Sequence, residues 1–375
     1  LGEAAQVDGI KVVGVGSLRQ AMKYLQGKEQ HLPPPPRPKL VEGPSPCLSE
    51  VKGQIHAKRA LEICAAGFHN LLFIGPPGSG KSMLAARLPG IMPPLNGEEV
   101  LEVASIHSVA GLLDPETPLR RQPPFRSPHH TISNVGLVGG GRYMPRPGEI
   151  TLSHRGVLFL DELPEFRRDA LEVLRQPLET GYVTISRSLI CTNFPARFLL
   201  VAGMNPCPCG FLGDPRRACS CPPGRIRQYY HRISGPLLDR IDLQVEVPRL
   251  SPEELLEMPG GETSQTVRER VMAARKRQVE RWGRPITNSQ VEMASLRESC
   301  RMGEEERRFM YTVAERLQLT ARGFDRCLRV ARTIADLAGR EEVRLADLAE
   351  AVQYRSLERM RSFSVLGEVN HGARL

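Results

Sequence analysis

The stretch Gly75-Pro76-Pro77-Gly78-Ser79-Gly80-Lys81-Ser82 satisfies the phosphate-loop pattern G-x-x-x-x-G-K-[ST] without a gap. It follows Asn70-Leu71-Leu72-Phe73-Ile74, an apolar run that reads as a buried strand, and opens Ser82-Met83-Leu84-Ala85-Ala86-Arg87-Leu88, which reads as the first turns of a helix. The motif needs that strand–loop–helix context. Glycines let successive backbone N–H groups turn toward a phosphate, and the helix N-terminus adds a favourable dipole. Lys81 is then expected on the β- and γ-phosphates and Ser82 on magnesium. These residues predict that the chain binds a nucleoside triphosphate.

A second apolar run, Gly156-Val157-Leu158-Phe159-Leu160, ends in the carboxylates Asp161 and Glu162. In a parallel sheet the carboxyl ends of the strands face one crevice, so both acids are expected beside the phosphate loop. Asp161 would hold magnesium through water, and Glu162 would orient and deprotonate the attacking water. Phosphoryl transfer asks the protein for positioned charge and a positioned nucleophile more than for covalent chemistry. A strand ending in Asp-Glu is a weak signal alone. With the loop upstream it points to hydrolysis rather than binding only.

At 375 residues the chain exceeds one typical domain, so two or three units are expected. Leu1 stands where a start methionine would, which reads as a piece of a longer polypeptide. No run of eighteen apolar residues and no signal peptide are visible, and nine cysteines without an even framework spacing suit a reducing, cytoplasmic interior. The net charge of +9 is concentrated: Arg120 to Arg240 holds seventeen Arg against nine acids and no Lys. A cationic surface there would attract phosphate backbones. Solvated or inter-subunit arginines explain the excess equally well, so charge alone does not decide.

Along the chain, residues 1–30 read as the end of another domain, with a strand at Gly9–Val15 and a capped helix at Ser17–Gln26. Residues 31–45, opening with His31-Leu32-Pro33-Pro34-Pro35-Pro36, form a stiff extended linker. Short apolar strands alternate with helical stretches over 46–250, the pattern of an α/β domain. Helical periodicity takes over in 251–360, interrupted at Trp282-Gly283-Arg284-Pro285, and reads as a separate helical bundle before a tail at 361–375. Cys207-x-Cys209 and Cys219-x-Cys221 place four soft ligands in two pairs, which suits tetrahedral zinc, although the usual knuckle is C-x-x-C. Free thiols or disulfides are the competing reading. Cys47, Cys64, Cys191, Cys300 and Cys327 read as ordinary buried or linker cysteines.

The phosphate loop, the Asp161-Glu162 strand and the helical tail together resemble the AAA+ ATPases. Longer phrases are similar to the magnesium-chelatase-like branch and its ComM group: Val51-Lys52-Gly53-Gln54, Phe125-Arg126-Ser127-Pro128-His129-His130, Pro147-Gly148-Glu149-Ile150, Asn205-Pro206-Cys207-Pro208-Cys209-Gly210 and Leu237-Leu238-Asp239-Arg240-Ile241-Asp242. The resemblance runs from about residue 8 to 360. It implies an α/β core, with a parallel sheet and helices on both faces, followed by an all-α lid. It also implies a preceding Lon-C-like domain, of which residues 1–30 would be the remnant.

The same resemblance assigns roles. Asn205 matches sensor 1, against the alternative of a turn asparagine before Pro206. Arg240 matches the arginine finger that reaches a neighbouring subunit's γ-phosphate, against the alternative of a pair with Asp239 or Asp242 of its own chain, with Arg232 a second candidate. Arg322 matches sensor 2, acting on its own nucleotide or a neighbour's. In that helix Phe324, Leu328, Ala331 and Ala335 have helical spacing and are expected in the core, leaving Arg326, Arg329 and Arg332 at the surface or an interface. Tyr182–Arg187 and Phe194–Phe198 correspond to a pore hairpin, with Arg187 and Ser188 touching DNA backbone without reading sequence, against the equal alternative of Arg187 pairing with an acid on the same sheet. His129 and His130, facing different ways on a strand, make no metal site and lie ahead of a strand at Glu149, a further pore element. The family as a whole implies a hexameric, ATP- and magnesium-dependent branch-migration motor handling DNA in natural transformation. A magnesium-chelatase or protein-remodelling motor would share every nucleotide residue named here.

Overall fold

The computed structural model describes residues 10–28, 40–43, 45–113, 119–141, 144–186, 191–214 and 216–355. Runs that are apolar at every position form strands covered on both faces. Among the described residues the strands are β1 (Leu71–Ile74), β2 (Phe125–Arg126), β3 (Gly139–Gly140), β4 (Arg146–Pro147), β5 (Val157–Leu160), β6 (Tyr182–Ser186), β7 (Cys191–Pro195), β8 (Leu199–Met204) and β9 (Leu243–Glu246). The central sheet is parallel, in the order β2-β5-β8-β1-β9. The register pairs Leu71 with Val201 on one side and Leu243 on the other. The phosphate loop and the Asp161-Glu162 pair therefore leave the same end of the sheet.

Side chains alternate across the pleat. Leu71, Phe73, Val157, Phe159, Val201 and Val245 join one apolar cluster, while Leu72, Ile74, Leu158, Leu160, Leu200 and Met204 join the other. Helices on both faces and an all-α region behind them match the expected fold class.

The helical region packs against the core through its apolar face. Val267, Val271 and Ala274 of the helix Ser264–Trp282, and Leu328, Ala331 and Ala335 of the helix Ala321–Leu337, belong to the same cluster as Leu61 and Ile63 of the helix Ile55–Gly67. Helical period identified the apolar face but not what covers it. The break at Trp282 is as expected: Gly283, at φ 64°, caps the helix in the left-handed region. Arg332 corrects the surface-or-interface assignment, whereas Arg326 and Arg329 are half-buried and line an open cavity. Arg332 is fully buried and pairs with Asp336 at 3.1 Å, Arg329 donates to the carbonyls of Asn288 and Ser289, and Arg326 pairs with buried Asp242. Guanidiniums survive burial where carboxylates and carbonyls satisfy their fork of donors.

Other elements differ in detail. Residues 10–15 form no strand, whereas the helix Leu18–Leu25 is capped by Ser17, whose hydroxyl accepts the Gln20 N–H. Val41, at the end of the expected linker, bridges Arg120. Glu149 starts a short helix, Glu149–Leu152, not a strand. The hairpin exists as antiparallel β6 and β7, but its second strand begins at Cys191, which is exposed rather than buried. Arg187 and Ser188 lie outside the described residues, as do 31–39 and 356–375.

Candidate active site

Gly78 and Gly80 hold φ of +78° and +92°, values a side chain tolerates poorly. Lys81 opens the helix Lys81–Ala85 and folds its ammonium back into the loop, donating to the carbonyls of Gly75 at 2.7 Å and Pro76 at 3.1 Å. It also reaches Asn205 Oδ1 at 3.3 Å, so the residue just beyond β8 meets the loop. Burial lowers the Lys81 ammonium from its ordinary pKa, against the opposing pull of Asp161 and Glu162. An ammonium held among carbonyls in this way is poised to exchange them for phosphate oxygens.

Ser82 Oγ donates to Asp161 Oδ2 at 2.6 Å. A hydroxyl and a carboxylate converging at the loop are the ligand types magnesium takes beside a triphosphate. Gly203 in β8 leaves room for that carboxylate: a Cβ there would lie 2.6 Å from Asp161 Oδ1. Glu162 follows at φ 52°, an uncommon conformation for glutamate, and its N–H is held by Asp161 Oδ1 at 2.9 Å. The turn aims Glu162 away from the strand axis, where its Oε2 meets His130 Nδ1 at 3.1 Å.

The His130–Glu162 pair was missed in sequence. His129 and His130 do not face opposite ways on a strand. They follow the two-residue β2 in irregular chain, with ring centroids 4.0 Å apart. The legible signal was the position of Phe125-Arg126 before them, since β2 pairs directly with β5 and delivers the next residues to Glu162.

Arg240 and Arg322 lie elsewhere. Both line a cavity of about 570 Å³ with Asn70, Glu179, Asp239 and Arg326. Asn70 precedes β1 and Arg240 precedes β9, so this cavity sits at the amino end of the sheet. Roughly 16 Å of strand separates Asn70 from Gly75. Neither arginine faces the loop of its own chain. Arg240 is buried, paired with Glu179 and donating to the Pro236 carbonyl, and Arg322 is exposed with its guanidinium 3.8 Å from Asp239. Arg232, the second finger candidate, instead pairs with Glu165 at 2.7 Å, just past Glu162. Asp242 anchors the far end: it accepts the Asn70 N–H at 3.0 Å and lies 3.5 Å from His69 Nδ1. Burial alone would raise its pKa, but Arg326 and His69 hold the carboxyl well below the usual range.

The four cysteines do converge. Cys207, Cys209, Cys219 and Cys221 place their sulfurs within 4.8 Å of one another, with Cys207–Cys209 at 3.3 Å and Cys207–Cys219 and Cys209–Cys219 at 3.6 Å. Ligands around tetrahedral zinc, each about 2.3 Å from the metal, stand roughly 3.8 Å apart, so the donor set fits. Backbone N–H groups of Phe211 and Ser220 lower the Cys209 thiol to about 6, while burial and the neighbouring sulfurs raise Cys219 and Cys221, so the cysteines titrate together rather than one by one.

Residues 47–255 match the family described as magnesium chelatase, subunit ChlI, and residues 261–355 match its C-terminal region. The chain is 47% identical to the competence protein ComM of Haemophilus influenzae over 317 residues, covering 84% of this chain and 60% of that protein. It is 43% identical to the uncharacterized protein YifB of Escherichia coli over 363 residues, covering 96% and 70%. Similarity to the magnesium-chelatase 38 kDa subunit of Rhodobacter capsulatus is lower, 26% over 224 residues. The chain belongs to the magnesium-chelatase-like family of AAA+ ATPases, in its ComM/YifB-like group. It spans 60% of the ComM relative and 70% of YifB. Among the described residues no helix is long and apolar enough to cross a membrane.

Proposed function

We propose that this chain is the motor of an ATP-hydrolysing ring that moves DNA, a branch-migration helicase of recombination during natural transformation. The observation that carries the reading is the division of the site. Lys81, Ser82, Asp161, Glu162 and Asn205 gather at one end of the sheet, and Arg240 and Arg322 at the other. One copy's arginines then complete the next copy's nucleotide site, which makes the assembly a ring, expected to be hexameric. Lys81 and the loop amides hold the β- and γ-phosphates. Ser82 and Asp161 would hold magnesium, which would supply the charge that neutralises those phosphates. Glu162 takes the proton of the attacking water, Asn205 orients that water, and Arg240 and Arg322 act in trans. A structural zinc on the four cysteines completes the cofactor set.

The step to DNA rests on similarity to a competence protein and on the arginine-rich core. Several of those arginines are already neutralised, as in Arg126–Glu149, Arg155–Glu99 and Arg175–Glu172. Exposed Arg216, Arg217 and Arg225, on the cysteine loop and the helix after it, leave a basic face. Arg187 and Ser188, between β6 and β7 in sequence, are the proposed backbone contacts. The family's chelatase members favour a second reading, a metal-chelatase or protein-remodelling motor. ATP turnover with and without forked or four-way DNA separates the two. Stimulation that fades as salt rises supports the DNA motor. Indifference to every nucleic acid, with a response to a porphyrin or protein client, supports the other.

A further inference from the structure

Six arginines line the cavity of about 570 Å³ at the amino end of the sheet, and four of them are already engaged. Arg240 is tied to Glu179 and the Pro236 carbonyl, Arg326 to Asp242, and Arg329 to the carbonyls of Asn288 and Ser289. Arg322 stands 3.8 Å from Asp239. Arg197 and Arg284 are exposed, and among the described residues neither guanidinium has a carboxylate or carbonyl partner. Of the two, Arg197 has its backbone anchored on the sheet. It stands two residues before β8, its N–H donating to His154 Nδ1 at 3.0 Å and its carbonyl accepting the Arg155 N–H at 2.7 Å. Its stem lies over Gly181, which caps the helix Arg175–Thr180 at φ +75°; a Cβ there would lie 2.8 Å from Arg197 Cγ. The stem is seated and the charged head is free.

The geometry points to Arg197 as a further catalytic residue, which joins Arg240 on the triphosphate held by the neighbouring copy's loop. The inference rests on the proposed sharing of the site between copies and deepens it. An arginine acting across an interface must present an unspent charge to the phosphates, and must do so from a backbone that does not yield. Arg240 has the backbone, but its guanidinium is buried and neutralised by Glu179, so it must give up that partner before it serves another. Arg197 meets both requirements as it stands. Glu179 and Gly181 lie two residues apart at the end of one helix, so the free charge of Arg197 opens into the cavity beside the Arg240–Glu179 pair. A polyphosphate arriving there meets a planar fork of donors whose only cost is the loss of water. Arg197 is also one of the arginines between Arg120 and Arg240 that no acid on its own chain accounts for.

The test measures ATP turnover by Arg197→Ala and Arg197→Lys, with assembly followed by sedimentation and folding by the thermal midpoint. Arg197→Ala is expected to fold and assemble as wild type does and to lower kcat at least about tenfold, a larger change than in KM. Arg197→Lys, which keeps the charge and loses the fork, should recover part of that loss. Mixed with Lys81→Ala, whose lesion is on the loop side, Arg197→Ala should regain part of the activity. Mixed with Arg240→Ala, whose lesion is on the same face, it should regain none. A wild-type kcat in Arg197→Ala overturns the proposal, as does a defect explained wholly by lost assembly, which would make Arg197 a contact between copies. If Lys81→Ala complements Arg240→Ala but not Arg197→Ala, the role of Arg197 fails and the shared site stands. If it complements neither, the sharing of the site fails as well.

Discussion

Replacing Asp242 with Asn removes a buried charge that ties the helical region to the amino end of the sheet. Asp242 is 3% exposed, and its two oxygens hold the Asn70 N–H at 3.0 Å and the Arg326 guanidinium. Asn keeps an acceptor for Asn70 but leaves Arg326, whose side chain is 20% exposed, without a counter-charge. Breaking a buried pair in this way costs about 3–5 kcal/mol, and the partial exposure of Arg326 sets the expectation at about 3. Removing both charges in Asp242→Asn/Arg326→Met should cost less than the single change, because no uncompensated ion is left. Urea denaturation midpoints of the wild type, the two single variants and the double variant measure the cycle. The pH dependence has a definite sign. The folded carboxyl lies below its unfolded value, so its contribution is complete above the ordinary carboxylate pKa, near 4, and is lost as pH falls below it. Asp242→Asn should flatten that acid limb. A single variant within about 0.5 kcal/mol of wild type, or a double variant whose cost is the sum of the singles, refutes the reasoning.

Glu162→Gln should bind ATP as tightly as wild type and turn it over at least about 100-fold more slowly, measured by phosphate release, because the amide cannot take the water's proton. Undiminished hydrolysis removes Glu162 from the mechanism. Elemental analysis should find one zinc per chain, falling to none in a Cys209→Ser/Cys219→Ser variant. A metal-free preparation that folds and hydrolyses normally discards the zinc.

The strands that carry the site were legible because they are buried on both faces: Leu71–Ile74, Val157–Leu160 and Leu199–Met204 are unbroken apolar runs. Lys81, Ser82, Asp161 and Asn205 followed from where those runs end. The edge strand Phe125–Arg126 has too few residues to show a period, so the delivery of His130 to Glu162 was hidden in a phrase recognised for other reasons. Arg332 was misread because residue type suggested exposure, although Asp336 one helical turn later offered the partner. Docking of the helical region on Ile55–Gly67 is a property of two apolar faces meeting, and a periodic stripe carries no information about its partner. Whether Arg322 faced its own loop was open in sequence. The order β2-β5-β8-β1-β9 places it at the opposite end of the sheet, with Asp239 and Arg240.

Mixing two inactive variants tests the shared site most directly. Lys81→Ala lacks the phosphate loop's cation but keeps its arginines, and Arg240→Ala lacks the proposed finger but keeps its loop. Each alone should hydrolyse ATP at a small fraction of the wild-type rate, and their mixture should recover part of the activity, because some neighbouring pairs join an intact loop to an intact finger. A mixture as inactive as its components, or an Arg240→Ala protein that works at full rate alone, contradicts the account.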